Sequence, residues 1–459
     1  MPSRYLTCSV PNAWVILLLL ACLLGAQASW GQQGSFRQPI LFTDDAQSGV
    51  ASHMSRSSQG QLAWTAAGRL ALVYWNGPDG YIEGEVISND VLEREWTPGG
   101  GWGAPAKVNH PTNAIEMARY PAMVVRPDGS LFVVWHDYRN AKDNNPDASM
   151  ISNIEIYGGA RPAGGSFAGP DLRLTQTNNG TNGDNGYLPK AVNLKDGRLL
   201  LTWYDFTWNL YQSEIAIKIS DAGGAFASPA MDDVIHTESG DRAADDAGKS
   251  FAVPSAAVDG NGIVHLVWAS FTIDAGTVQT SNLYYGRFDP ASKTWLEKSR
   301  LRTQAGGYYD PAKLIADPVS GDVWLLFTDY GTAGNYEIFL QHRGKDAAAF
   351  DAPIRLTTNS GRQNYPDAAI DSQGLIHLVW VDNSTGKTLV HYQAYNPAGG
   401  QVVRQSDLTQ GQGGNWARPA ILVSPNNNLY VVWEDVDPTG LWFTTDLQVS
   451  RAGGWNLYE

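Results

Sequence analysis

One unit, written seven times around a turn residue, constrains this chain more than any other feature. The turn residue is Gly68, Gly129, Gly197, Gly262, Gly321, Gly374 and Asn427, asparagine being the usual non-glycine occupant of positive-φ backbone. Six residues later every copy has an aromatic: Tyr74, Trp135, Trp203, Trp268, Phe327, Trp380 and Trp433. Eight residues before the turn stand Pro121, Pro189, Pro254, Pro366 and Pro419, with Pro311 offset by a two-residue insertion and Gly60 in that place in the first copy. A period of this kind decides the architecture before any local motif is read.

Each unit reads as four strands. The segments between turn and aromatic (131–135, 199–203, 264–268, 323–327, 376–380, 429–433) are dense apolar runs without polar alternation, as expected of strands buried on both faces. Third strands are expected at 82–87, 154–157, 214–219, 282–288, 336–342, 388–395 and 446–450, where alternation is clearer. A fourth strand carries an aromatic followed three residues later by proline: Trp102…Pro105, Phe167…Pro170, Phe226…Pro229 and Phe350…Pro353, with Trp295 in a looser copy. Proline suits an outermost edge, where a missing donor is harmless. Several of these strands end in Leu-Thr, at Leu174-Thr175, Leu356-Thr357 and Leu408-Thr409.

Four strands in roughly 50 to 65 residues, repeated seven times, are the mark of an all-β, seven-bladed β-propeller with four antiparallel strands per blade. The blades are expected near 54–111, 115–176, 184–238, 249–304, 307–358, 362–409 and 416–458. Phe36-Arg37-Gln38-Pro39 is a fourth-strand motif with no strands before it, and the last copy lacks its own. The segment 36–44 is therefore expected to close the last blade, within one domain spanning 29–459.

Residues 1–28 read as an export signal: one charge at Arg4, an apolar run over 13–24, and Ala26-Gln27-Ala28 as a small-residue cleavage site. Leu20-Ala21-Cys22 offers lipid attachment at Cys22 as an alternative. The apolar run is short for a membrane span, and no later segment qualifies as one. Export to the periplasm, cell surface or medium is the expectation. Both cysteines, Cys8 and Cys22, lie in this leader, so the mature chain has no thiolate chemistry and no disulfide. The formal charge of −14 becomes −15 without Arg4, which excludes nucleic acid and anionic membranes as partners.

The functional face of such a ring is expected where loops enter the inner strand and leave the second. Before the prolines this gathers Arg119, Tyr120, Tyr187, Tyr309, Tyr365, Trp416 and Arg418. Tyr187 and Tyr309 stand two residues before their prolines, so period-2 alternation points them away from Tyr120 and Tyr365. After the aromatics come Asp137, Asp205, Asp329, Asp382 and Asp435, whose recurrence marks them as turn devices first. His265 and His377 share one repeat position, occupied elsewhere by apolar residues, and are expected to pack. His136 and Tyr157 are the candidates for a base and an acid in β-elimination from a uronic acid. The loop after Asp137, with Asp143 and Asp147, offers oxygen ligands to calcium.

Taken together, the repeats, the Trp-x-Asp ends and the Ile-Glu-Ile-Tyr type of third strand resemble the sialidase-like, BNR-repeat propellers of exported bacterial proteins. Ser220-Asp221-Ala222-Gly223-Gly224-Ala225-Phe226 is similar to the Asp-box of that family in its Asp, Gly and aromatic. Phe36-Arg37-Gln38-Pro39 is similar to the family's arginine motif, but it aligns with Phe167…Pro170 and so belongs to an outer strand. The resemblance thus implies the fold, without a sialidase arginine at Arg37. The functional expectation is recognition, and secondarily processing, of a carbohydrate at the funnel face. The alternatives are a non-catalytic protein-interaction scaffold, or a sialidase-like glycoside hydrolase or polysaccharide lyase. The expected partner is a glycan, another small polar ligand or a protein, and the chain is expected to be a monomer.

Overall fold

The structure is a computed structural model. It describes residues 36, 40–42, 52–55, 60–77, 89–111, 117–140, 154–176, 186–209, 212–226, 229, 234–236, 254–274, 277–305, 309, 312–317, 320–330, 335–409, 418–436 and 445–452. The expected leader, residues 1–28 with Cys8 and Cys22, lies outside these residues. Among the described residues no helix is long and apolar enough to cross a membrane.

All the described secondary structure is β. It forms seven antiparallel sheets in a propeller arrangement, numbered here in chain order: 52–107, 118–173, 186–236, 255–305, 313–355, 363–407, and 420–452 with 40–41. The turn residues explain the hairpins. All seven take positive φ, from 57° at Asn427 to 85° at Gly262, and each joins the inner strand to the apolar second strand. Leu131–Asp137, Val323–Asp329 and Ile376–Asp382 are buried along their whole length.

The aromatics six residues after the turn fill the seams between sheets. One apolar cluster sits in each seam: Trp135 between sheets 1 and 2, Trp203 between 2 and 3, Phe327 between 4 and 5, Trp380 between 5 and 6, and Trp433 between 6 and 7. A further cluster joins Tyr430 and Val432 of sheet 7 to Leu70, Leu72 and Tyr74 of sheet 1. The seam between sheets 3 and 4 holds Leu266, Phe288 and Tyr204, with Trp268 half-buried against them.

Two strand assignments differ from expectation. In sheet 1 the third strand is Val91–Thr97, paired with Leu70–Asn76, whereas 82–87 lies outside the described residues. In sheets 2 and 5 the aromatic-x-x-Pro motif precedes the outer strand instead of forming it, whereas Trp102 and Trp295 lie within the strands Gly101–Trp102 and Thr294–Ala305, as expected. Leu172–Arg173 follows Pro170, and Ile354–Arg355 follows Pro353. The aromatic is a wedge driven into the seam with the preceding sheet: Phe167 beside Trp135, Phe226 stacked on Phe132 at 6.0 Å, and Phe350 edge-on to Tyr285 at 4.9 Å. Proline then releases the chain into the outer strand, where no donor is needed.

The Leu-Thr ends have their own logic. In sheet 2 the Thr175 hydroxyl donates to Glu155 at 2.5 Å and accepts the Ile156 amide, while Arg173 donates to the same carboxylate at 3.0 Å. Sheet 5 repeats this with Thr357, Glu337, Ile338 and Arg355. A two-residue strand held by so few ladder bonds is anchored by side chains. Ile40 and Leu41 pair with Val449 and Gln448, so an N-terminal segment supplies the outer strand of sheet 7.

Candidate functional site

The site begins with the prolines of the inner strands. Proline brings no N–H to the ladder, and the register slips between Arg119 and Ala122, Tyr187 and Lys190, and Asn364 and Asp367. The residue before each proline, Tyr120, Leu188 or Tyr365, takes φ of 52°, 50° and 50°. Left-handed backbone costs a bulky side chain about 1 kcal/mol, so the packing around it must hold it there.

The bulge cancels the alternation expected of Tyr187. Trp75 of sheet 1, Tyr120 of sheet 2 and Leu188 of sheet 3 form one buried cluster, and Tyr187 packs on it. His136 is completely buried at the centre. Its ring centroid lies 4.9 Å from Tyr120, 5.2 Å from Tyr187 and 5.4 Å from Tyr138, each edge-on. His53 stacks on Trp75 at 4.2 Å, with Nε2 3.0 Å from the Gly77 carbonyl oxygen. The Arg119 guanidinium lies 5.1 Å from the Trp75 ring centre, and Nε donates to Asn89 Oδ1 at 2.8 Å.

The array continues into sheet 7. Glu434 accepts the Met54 amide, and its carboxylate lies 3.6 Å from both His53 and Arg418. Arg418 also donates to the Met54 carbonyl at 3.3 Å. Rings, two guanidinium groups and one carboxylate thus run across four sheets. Tyr138 and Tyr187 are its half-buried members.

Several of these residues escaped the repeat alignment. Trp75, Glu434 and Tyr204, whose ring centre lies 6.3 Å from that of Tyr187, stand seven residues after their turn residue, as His136 does, and therefore face away from the seam aromatic at position six. Aligning position seven as carefully as position six would have drawn them together. His136 is one of this series, not an isolated insertion.

Other expectations separate. His136 and Tyr157 are not brought together: His136 pairs across the strands with Ile156, and Tyr157 with Trp135, so their side chains leave opposite faces of the sheet. The Tyr157 hydroxyl instead donates to Asn140 Oδ1 at 2.5 Å, with the Arg139 guanidinium 4.1 Å from its ring centre. Burial pushes this hydroxyl up to about 12, only partly offset by Arg173 and Arg139. Tyr309 sits in the core between sheets 4 and 5, 6.4 Å from Phe327, and burial raises its hydroxyl further. Tyr365 packs on the seam between sheets 6 and 7. Trp416 lies outside the described residues.

The calcium expectation meets a filled carboxylate. Asp137 Oδ1 accepts the Arg139 amide at 2.9 Å, and Oδ2 accepts Trp135 Nε1 at 2.9 Å and Arg139 Nη2 at 2.5 Å. Arg139 in turn reaches Asp171 at 2.7 Å. A cation at Asp137 would have to displace that arginine. Asp143 and Asp147 lie outside the described residues, and no group of three metal-ligating side chains occurs among the described ones. Asp205 repeats the device, accepting Trp203 Nε1 at 3.2 Å. Burial would raise the Asp382 carboxyl, but hydrogen bonds from Ser384, Gln363 and Asn359 hold it below the usual range.

Chemically, the array is a floor of rings with an imidazole and guanidinium groups set among them. Trp75, Tyr120, His136, Arg119 and Arg418 are buried, so the half-buried Tyr138 and Tyr187 are the rings able to stack on the apolar face of a pyranose.

No protein-family model matches the chain, and no curated protein sequence matches it. Solved structures do. The polysaccharide lyase Uly1 aligns over 87% of this chain and 90% of its own, with 10% identity and a TM-score of 0.53. A protein of unknown function from Dyadobacter fermentans DSM 18053 aligns over 73% and 94%, with 12% identity and a TM-score of 0.50. The NanB sialidase from Streptococcus pneumoniae aligns over 92% and 68%, with 12% identity and a TM-score of 0.42. At 10% identity the likeness to the polysaccharide lyase is one of fold.

Proposed function

We propose that this chain is an exported, seven-bladed propeller that recognises a carbohydrate at the end of the ring where Trp75, Tyr120, His136, Tyr138 and Tyr187 meet. The observation that carries this reading is the convergence of tyrosines from sheets 2 and 3 on one imidazole, with Trp75 of sheet 1 packed edge-on to Tyr120 beside them. Tyr365 takes the same left-handed backbone while packing on the seam between sheets 6 and 7, so the convergence on His136, and not the bulge, carries the reading. Arg119 and Arg418 supply fixed positive charge to the floor, and Trp416 is proposed to add a ring from sheet 7. A solved structure of similar fold, with a TM-score of 0.53, is a polysaccharide lyase. One seam cluster for each neighbouring pair of sheets, including sheet 7 with sheet 1, supports seven blades in a closed ring.

The half-buried tyrosines give the test. Tyr187→Ala and Tyr138→Ala should weaken binding on a polysaccharide panel at least tenfold, by calorimetry, while melting within a few degrees of the parent. A folded parent that binds no neutral or acidic polysaccharide would sink the reading, and so would binding indifferent to both variants.

A second reading, a lyase acting on uronic-acid polysaccharides, is favoured by the three tyrosines around His136. An imidazole can take the proton α to the carboxylate while a tyrosine returns one to the leaving oxygen. Appearance of an unsaturated uronate chromophore, lost in His136→Ala, would establish it; binding without that chromophore leaves recognition alone.

A further inference from the structure

Position nine of the repeat, counted from the turn residue, breaks the symmetry of the ring. It is Tyr138, Phe206, Phe271 and Tyr330 in sheets 2, 3, 4 and 5, and Asn383, Val436 and Gly77 in sheets 6, 7 and 1. The seam aromatics recur in every copy because every sheet must pack against its neighbour. An aromatic confined to four adjacent sheets answers no such need. Tyr138 and Tyr330 directly follow the strands Leu131–Asp137 and Val323–Asp329, while Phe206 and Phe271 stand within Leu199–Asn209 and Val264–Asp274. All four therefore lie toward one end of the ring, the end that carries the aromatic array, of which Tyr138 is a member.

The middle of this arc is raised. The second strands of sheets 3 and 4 run for 11 residues, against 7 in sheets 1, 2, 5 and 6 and 8 in sheet 7. Their hairpins reach the pairs Asn209–Gln212 and Asp274–Thr277, beyond the level at which the neighbouring strands end. Sheets 3 and 4 thus form a flank of paired backbone between Tyr138 and Tyr330.

The far end of the arc is built as a second platform. Tyr330 is half-buried and edge-on to the half-buried Tyr336, with 4.9 Å between ring centres. The Arg362 guanidinium, at the entry to the inner strand of sheet 6, lies 4.5 Å from the centre of the Tyr336 ring. The Tyr330 amide donates to Gln304 Oε1 at 2.8 Å, which fixes the platform to the outer strand of sheet 4. Two rings and a guanidinium group repeat, in sheet 5, the side-chain types of the array. An aromatic face suits the apolar side of a pyranose, and a guanidinium suits its oxygens.

We propose that the ligand of this face is a polymer, and that Tyr330, Tyr336 and Arg362 form a distal subsite for sugars of the same chain that lies on Tyr138 and Tyr187. This rests on the carbohydrate reading above and narrows it. One platform suffices for a terminal sugar or a short oligosaccharide. Two platforms at one end of the ring, joined by a run of aromatic positions, suit a chain long enough to span them. The second contact is intramolecular, so its gain grows with chain length until the span is covered and then stops.

Calorimetry on the full chain, with sized ladders cut from polygalacturonate and from xylan, tests this. Affinity for the ladder that binds should rise roughly tenfold or more from the trisaccharide to the polymer and then level off. Tyr330→Ala should erase most of that rise, a loss of roughly three- to tenfold on long chains, and Tyr330→Phe, which keeps the ring, should retain it. Melting temperatures near that of the parent show that both variants are folded. A trisaccharide bound as tightly as the polymer, or a rise with length that Tyr330→Ala leaves intact, would overturn the distal subsite while recognition at Tyr138 and Tyr187 stands. A parent that binds no member of either ladder would overturn both.

Discussion

His377 Nδ1 lies 2.8 Å from the Tyr392 hydroxyl oxygen, and the same two groups recur as His265 and Tyr285 at 2.6 Å. In both copies Nε2 faces the aspartate of the turn, Asp371 or Asp259, at 3.2 Å. A carboxylate can only accept, so Nε2 donates to it, and Nδ1 shares the second hydrogen bond with the phenol. The aspartate's other oxygen accepts two turn amides, from Gln373 and Leu375 in one copy and Asn261 and Ile263 in the other. The histidine thus links a hairpin turn to the third strand inside the core. His377→Phe should cost about 2–4 kcal/mol in denaturant unfolding, because it strands a buried phenol and a buried carboxylate oxygen. Adding Tyr392→Phe should recover part of that loss. A single variant that unfolds like the parent would refute the linkage.

The same aspartate makes the fold acid-sensitive. Burial would raise the Asp371 carboxyl, but the His377 hydrogen bond and charge, with two amide bonds, hold it below its ordinary 3.8. A depressed folded-state value means that the group's contribution is complete above 3.8 and disappears as pH falls through the lower folded value. Asp371→Asn should therefore be less stable than the parent at pH 7, with the gap narrowing below pH 3.8. Urea midpoints across that range check it, and a constant gap would contradict it.

Arg139 stands between Asp137 and Asp171 at 2.5 and 2.7 Å, all three almost fully buried. Breaking such a network from one side leaves uncompensated charge. Arg139→Met should cost about 3–5 kcal/mol. Neutralising the two acids as well, with Asp137→Asn and Asp171→Asn, should restore much of it. If calcium raises the melting temperature at all, Asp137→Asn should leave that response unchanged, since both carboxylate oxygens already have partners.

How far the sequence foretold this molecule depends on what the repeat records. Turn residues and seam aromatics recur because every sheet needs them, and the aspartate two residues on recurs in five of the seven, so alignment exposes them at once. The aromatic before each outer-strand proline recurs equally, but its place in the turn could not be told from its place in the strand, because both leave Phe167 and Phe350 facing the seam. The array is less legible, since it is built where the repeat is broken. Tyr120 and Leu188 leave ordinary backbone geometry at a bulge, and a period-2 argument carried through that bulge sends Tyr187 the wrong way. Tyr309 shows the converse: where the register is not shared, a tyrosine near a proline is simply core. Trp75 and Glu434 were hidden by a neighbour, one residue beyond the aromatics that drew attention.

Lys190 should give the protein an alkaline signature. Its ammonium sits at about 7 in the folded chain, against an ordinary 10.5, because burial and Lys313 outweigh Asp367. The unfolded chain then holds the extra proton between pH 7 and 10.5, so this group's contribution to stability rises with pH across that window and is least favourable below it. The swing is of the order of 3–5 kcal/mol. Lys190→Met should flatten the rise, measured as the difference in urea unfolding free energy between pH 7 and pH 10. Parallel pH profiles for parent and variant would rule this out.

The N-terminal clasp should be the most economical place to open the ring. Among the described residues two pairs join Ile40–Leu41 to the third strand of sheet 7, a short ladder that side chains must reinforce. The anchor is Phe42, 4% exposed, edge-on to Trp102 at 4.3 Å and to Tyr74 at 5.3 Å in the seam between sheets 7 and 1. Arg94 lies over its ring at 4.6 Å and donates to its carbonyl at 2.5 Å. Phe42→Ala should therefore destabilise by about 3–5 kcal/mol, the usual cost of emptying a buried phenylalanine site, and Phe42→Leu by much less. Deleting residues through Phe42 should cost more than the point variant, because the outer edge of sheet 7 then loses its pairing as well. The seam also holds Met54, Leu70, Leu72 and Tyr430 from distant parts of the chain, so its loss should reach both sheets. Hydrogen exchange should show sheets 7 and 1 opening first in Phe42→Ala, with sheets 3 and 4 protected. Uniform exchange across all seven sheets would mean that the ring unfolds as one unit and that the clasp is no special point of entry.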